Sequence, residues 1–210
     1  MLNSLIILIV GWLLGLLAPV IVDAIKNRRE VTKIYVAIRS ELNEAAYRMT
    51  LASYATSTHL GVANHEFLKW VKDSLFLYQG QEPKESVIKT IEGELLLTPE
   101  LLASINAASA AKGLEALVLV RFAVPFIDTR ISAFHLMPST LQLQLLSIRA
   151  DVNLLDDLVN QSKTYFQLTF GKLEDGNHSV VVKNLRGVYD QYIKRCRITA
   201  DRIHHLESVL

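Results

Sequence analysis

Six histidines, His59, His65, His135, His178, His204 and His205, are the first side chains to test for chemistry. No HExxH or comparable metal-ligand spacing links any two of them. His204 and His205 are adjacent, so on a helix they diverge by about 100° and do not share one ion. Cys196 is the single cysteine, which excludes an internal disulfide and a cysteine-built zinc centre. It has no base nearby in sequence to activate it as a nucleophile. The neighbouring carboxylates Asp156 and Asp157 could in principle divide acid and base work, but they flank an apolar helical stripe and read as a solvated face. Arg121, Asp128 and Arg130 sit around an irregular stretch, where a buried ion network of a structural kind is expected. There is no glycine-rich phosphate loop and no G-x-S-x-G elbow. The residues therefore predict no catalytic, cofactor-binding or metal site, no cofactor and no small-molecule substrate, and they point away from an enzyme.

Charge excludes a further class. Twenty-two Lys and Arg stand against 21 Asp and Glu, a formal net charge of +1 at pH 7. A nucleic-acid binder carries a basic excess on one face, with aromatic or groove-entering motifs, and neither is present. The 210 residues are enough for one ordinary domain with a real core beyond the amino-terminal segment.

The elements that must position these side chains begin with an apolar run. Leu5 to Val22 (LIILIVGWLLGLLAPVIV) has no charge and no strongly polar side chain. About 20 apolar residues in helical form cross a bilayer core, so residues 1–25 read as a transmembrane anchor. The run lacks the leading positive charge and small-residue cleavage site of a signal peptide. Lys26, Arg28, Arg29 and Lys33 follow it, and this basic cluster predicts a single-pass membrane protein with its amino terminus outside and its large domain cytoplasmic. Gly11 and Gly15 form a small-xxx-small pair on which two such transmembrane helices could pair.

Beyond the run no glycine or proline occurs between Pro19 and Gly61, so residues 26–60 are expected to continue as a juxtamembrane helical rod. Val31, Ile38, Ala45 and Ala52, with Tyr35, Leu42 and Met49 between them, form a heptad-like stripe. Residues 61–210 supply the rest of the bundle. A helix capped by Asn64 is expected to Tyr78, another over Pro83 to Leu96 with Val87 and Ile91 inward, and a third after the Thr98-Pro99 start signal. Residues 113–138 are read as buried helix or irregular connection, because the β-branched stretch Leu117 to Val124 has no partner strand. Within them Pro125 starts a short helix to about His135, with Phe126, Ile127, Ile131 and Phe134 facing the core.

The best-specified element opens at Pro138-Ser139, with Leu141, Leu145, Ile148, Val152, Leu155, Val159, Ser162 and Phe166 spaced by fours and threes. A polar loop, residues 171–177, joins it to a last helix carrying Leu185, Val188, Tyr192, Cys196, Thr199, Ile203 and Leu206. Two long helices joined this way pack antiparallel. The fold expected is all-α, a single transmembrane helix continuing into an elongated antiparallel helical bundle. The function expected is a binding or scaffolding module, with the lipid bilayer and a protein partner or second copy as its associates. A membrane-perturbing effector whose anchors self-associate is the alternative, and an enzyme with a site invisible to local motifs comes third.

Overall fold

The computed structural model describes the backbone of residues 2–111, 117–170 and 177–208, and the side chains within them except those of residues 2–10, 13, 14, 27, 132, 133 and 135. Seven α-helices follow in order: α1 (Leu2–Leu60), α2 (His65–Leu77), α3 (Glu85–Leu95), α4 (Pro99–Ala110), α5 (Pro125–Thr129), α6 (Ser139–Thr169) and α7 (Asn177–Glu207). A 3-10 helix, Ile131–Leu136, lies between α5 and α6. No strand occurs among the described residues, and the all-α expectation holds.

Two units divide the chain, Met1–Ile38 and Arg39–Leu210. In the first, Trp12, Leu16, Leu17, Val20, Ile21, Val22 and Ile25 are exposed, as are Gly11 and Gly15 and the cations Lys26, Arg28, Arg29 and Lys33. A side chain built on either glycine meets nothing within 4 Å. The expected anchor is corrected here. Among the described residues no helix is long and apolar enough to cross a membrane. A span takes about 20 consecutive apolar residues. The unbroken described part of the run is Gly15 to Val22, and Asp23 ends it. The earlier part of that expectation, residues 2–10, lies outside the described side chains. The single-pass membrane localisation, with its outside amino terminus and cytoplasmic domain, loses its basis, and so does the effector alternative built on the same span.

In the second unit the core forms where helical periodicity places it. Leu141, Leu145, Ile148, Val152, Leu155, Val159 and Ser162 of α6 are buried, as are Leu185, Val188, Tyr192, Cys196, Thr199, Ile203 and Leu206 of α7. Leu42, Ala45, Met49 and Ala52 of α1 join them. The antiparallel sense of α6 and α7 follows from their cross-links, since Ser147 meets Arg202 whereas Asp151 reaches Arg195 as well. Three buried threonine hydroxyls are satisfied within their own helices: Thr50 donates to the Ala46 carbonyl at 2.8 Å, Thr56 to Ala52 at 2.7 Å and Thr199 to Arg195 at 2.8 Å.

Helices of 11 to 13 residues are marginal alone, so α2, α3 and α4 depend on their docking. Asn64 caps α2 by accepting from the Phe67 amide at 2.8 Å, and Thr98 caps α4 by accepting from Leu101 at 3.3 Å. On α3 the buried pair is Ile88 and Ile91, with Val87 only half-buried. Gly61 ends α1 at φ +66°, and a Cβ there would stand 2.1 Å from the Asn106 carbonyl oxygen. Only glycine combines that backbone conformation with so close an approach of α4.

The least legible region proves irregular. Residues 117–124 form neither helix nor strand, and Leu119, Phe122 and Val124 are buried while Val118 and Val120 are exposed. Its backbone is pinned from α7, where the Tyr189 hydroxyl donates to Leu117 O at 3.1 Å and Tyr192 to Val120 O at 2.8 Å. The helix expected from Pro125 stops at Thr129 and continues as the 3-10 turn, so Ile127 and Phe134 are buried and Ile131 is exposed. The side chain of His135 lies outside the described residues. Glu41 of α1 holds this region, its carboxylate accepting the Phe126 amide at 2.7 Å and the Ile127 amide at 3.0 Å. These are unpaired donors at the start of α5, where negative charge is favoured.

Hydrogen bonds to a charged group contribute about 1.5–3 kcal/mol each, so Glu41→Ala should lower unfolding free energy by about 2 kcal/mol in urea, whereas the exposed Arg48→Ala should leave it nearly unchanged. A second expectation concerns alkaline pH. The Tyr78 ring stacks on Tyr47 at 4.1 Å and its hydroxyl donates to Glu44 at 2.8 Å. Burial, then the hydrogen bond to Glu44, pushes its phenol from 10.0 up to about 12. The folded state thus disfavours ionisation, so its contribution is complete below pH 10 and is lost as pH rises through about 12. Urea midpoints should fall more steeply across that window in the natural chain than in Tyr78→Phe.

Candidate functional site

The helix pair α6 and α7 is joined by one buried charge. Asp151 is 4% exposed, Arg195 donates to its Oδ1 at 3.2 Å, and Arg202 donates to its Oδ2 while also bonding Ser147 Oγ at 2.8 Å. Both carboxylate oxygens are therefore paired, which a buried charge requires. Sequence reading missed this centre because Asp151 stands next to core Val152 with nothing local to mark it. Its partners lie 44 and 51 residues away.

Two recesses flank this pair. The first is a groove of about 400 Å³ along its outer side, lined by Leu154, Asp157, Leu158, Gln161, Gln191, Lys194, Arg195 and Ile198. Its apolar residues Leu154 and Ile198 are 45% and 48% exposed. Lys194 stands on the α7 side and Asp157 on the α6 side, both exposed. The second recess, of about 380 Å³, lies where the end of α6 meets the start of α7. Leu60, Phe166, Phe170, Val182 and Leu185 form its apolar wall, and His59, His178 and Arg186 bring polar groups to it. Phe166 and Phe170 meet edge to face at 5.0 Å.

The residues singled out from sequence are dispersed. Asp157 is exposed on the groove, but Asp156 is half-buried and its Oδ1 is buried without a hydrogen-bond partner. Arg121 bonds Asn160, while Asp128 pairs with Arg149 at 2.5 Å on the surface, so the expected network with Arg130 does not form. His204 and His205 diverge, the first 11% exposed and 3.6 Å from Glu207, the second exposed. His65 bonds the Leu97 carbonyl at 3.0 Å, joining the start of α2 to the end of α3. Cys196 is fully buried and burial pushes its thiol pKa upward, which suppresses the reactive thiolate. Among the described residues no group of three or more His, Cys, Asp or Glu is placed to hold a metal ion. What the fold brings together is instead two apolar recesses with charged margins, an arrangement suited to binding.

Comparison with protein-family models, with curated proteins and with solved structures gave no match to this chain.

The Asp151 centre predicts an asymmetric response to mutation. Its two arginines are each 37% exposed, so water can solvate them when the carboxylate is lost, and Asp151→Asn should cost only about 1–3 kcal/mol. Removing both cations leaves the carboxylate buried and unpaired. Arg195→Met combined with Arg202→Met should cost about 3–5 kcal/mol, more than twice either single change, as read by urea unfolding.

Proposed function

We propose that this chain is a non-enzymatic binding module whose α6–α7 groove receives an amphipathic helix of a partner protein. The observation that carries the reading is the pair of exposed apolar side chains, Leu154 of α6 and Ile198 of α7, on an open groove between the two helices. About half of the Leu154 and Ile198 surface is left uncovered by their own unit. Repeated apolar positions on a two-helix floor match the i, i+3, i+4, i+7 anchors of a docked helix. The margins add orientation. Lys194 and Asp157 on opposite sides have no ion-pair partner among the described residues, so the complementary helix carries an acid along the α7 margin and a base along the α6 margin. The groove is shallow and its titratable groups do not converge on one point, which favours a recognition surface over a reaction centre.

Photo-cross-linking in cells tests this reading. A cross-linking amino acid at Leu154 or Ile198 should capture one amphipathic segment of one partner, whereas the same group at exposed Leu96 should not. Leu154→Glu with Ile198→Glu should abolish capture while changing stability by no more than about 0.5 kcal/mol per site. Capture of a second copy of this chain would replace the partner by self-association, and equal, diffuse labelling from all three positions would end the proposal.

A further inference from the structure

A second site follows from the other recess, independent of the groove. We propose that the recess at the junction of α6 and α7 binds a small amphiphilic carboxylate, its apolar body against Leu60, Phe166 and Leu185 and its head group on Arg186 and His178. Volume and wall chemistry support this together. A space of about 380 Å³ falls within the range of small-molecule sites, about 300–1,000 Å³. Leu60 and Leu185 are buried at its floor, Phe166 is half-buried, and exposed Phe170 stands edge-on to Phe166 at its side. Such a wall suits hydrocarbon or an aromatic ring.

The polar groups fix the sign of the head. Among the described residues its lining includes the cation Arg186 and the imidazoles of His59 and His178, and no Asp or Glu. Arg186 and His178 are exposed at the opening, so a head group bound there stays partly hydrated while its tail is covered. A guanidinium matches a planar carboxylate with two parallel N–H donors, a geometry that a lysine would not supply. Arg186 and Val182 lie four residues apart on α7, so one helical face offers both the cation and part of the apolar wall. Fixed charge at the mouth and apolar surface inside is the polarity that an amphiphilic acid needs, and it opposes an amphiphilic amine.

The test is calorimetric titration of the full chain with decanoate, with decylamine as the matched cation. Decanoate should bind saturably at one site per chain, and decylamine at least tenfold more weakly. Arg186→Gln with His178→Gln should weaken decanoate at least tenfold while the thermal unfolding midpoint stays unchanged, since both side chains are exposed. Val182→Asp, which sets a negative charge in the wall, should remove binding in a chain whose Arg186 is intact. Lys194→Gln, in the separate groove, should leave decanoate affinity as it was. The proposal is overturned by the absence of saturable binding, by more than one decanoate per chain, by equal affinity for decylamine, or by undiminished binding in the Arg186/His178 double variant.

Discussion

A buried carboxylate governs the geometry on which the second unit depends. Apolar stripes on α6 and α7 repeat by fours and threes, and such stripes pack acceptably in registers shifted by a turn. Asp151 removes that freedom. Its two oxygens are satisfied only when Arg195 and Arg202 lie opposite, with Ser147 completing the Arg202 contacts. Any slip strands a charge in the interior, which costs far more than a mismatched leucine. Both recesses are products of this register, because each takes lining residues from α6 and α7.

Around this pair the shorter elements are held by polar ties more than by their own propensity. On α1, Glu41 holds the start of α5, Asn43 accepts the Gln79 amide at 3.1 Å and Tyr54 donates to Glu94 of α3 at 3.0 Å. Lys84 bonds the Tyr78 carbonyl at 2.5 Å and Tyr47 donates to the Pro83 carbonyl at 3.2 Å, closing the turn between α2 and α3. From α7, Asp201 accepts the Trp70 indole N–H at 2.7 Å, and Arg197 lies over that ring while pairing with Glu66. These contacts carry little energy where they are exposed. Their role is directional, fixing where each short helix sits on a core that apolar contact alone leaves loosely specified.

The same division explains the chemistry of the surface. Titratable groups inside the second unit are mostly committed: Asp151 to its arginines, Tyr78 to Glu44, and Tyr192 to the Val120 carbonyl. Burial, followed by the neighbouring Cys196, raises the Tyr192 phenol pKa, and burial raises that of the Cys196 thiol, so both stay protonated and inert. Arg186, Lys194 and Asp157, which have no such commitment among the described residues, are among the charged groups at the margins of the recesses.

Periodicity, caps and breakers in the sequence determined the helical class, the antiparallel α6–α7 pair and most of its core. Those signals are local, and a 3.6-residue period with Asn64, Thr98 or Gly61 at its boundary acts whatever lies across from it. Tertiary structure alone decided the rest. The membrane span read from the apolar run did not survive, since among the described residues no helix is long and apolar enough to cross a membrane. Leu117 to Val124 has strand-like composition but no partner strand among the described residues, and its Leu117 and Val120 carbonyls went to Tyr189 and Tyr192, 72 residues away in each case. Asp151 and the two recesses are equally invisible in one dimension. The Asp151 centre and the groove join helix positions more than 29 residues apart, and the recess at the junction adds Leu60 of α1, so none of them exists until packing has brought the helices together.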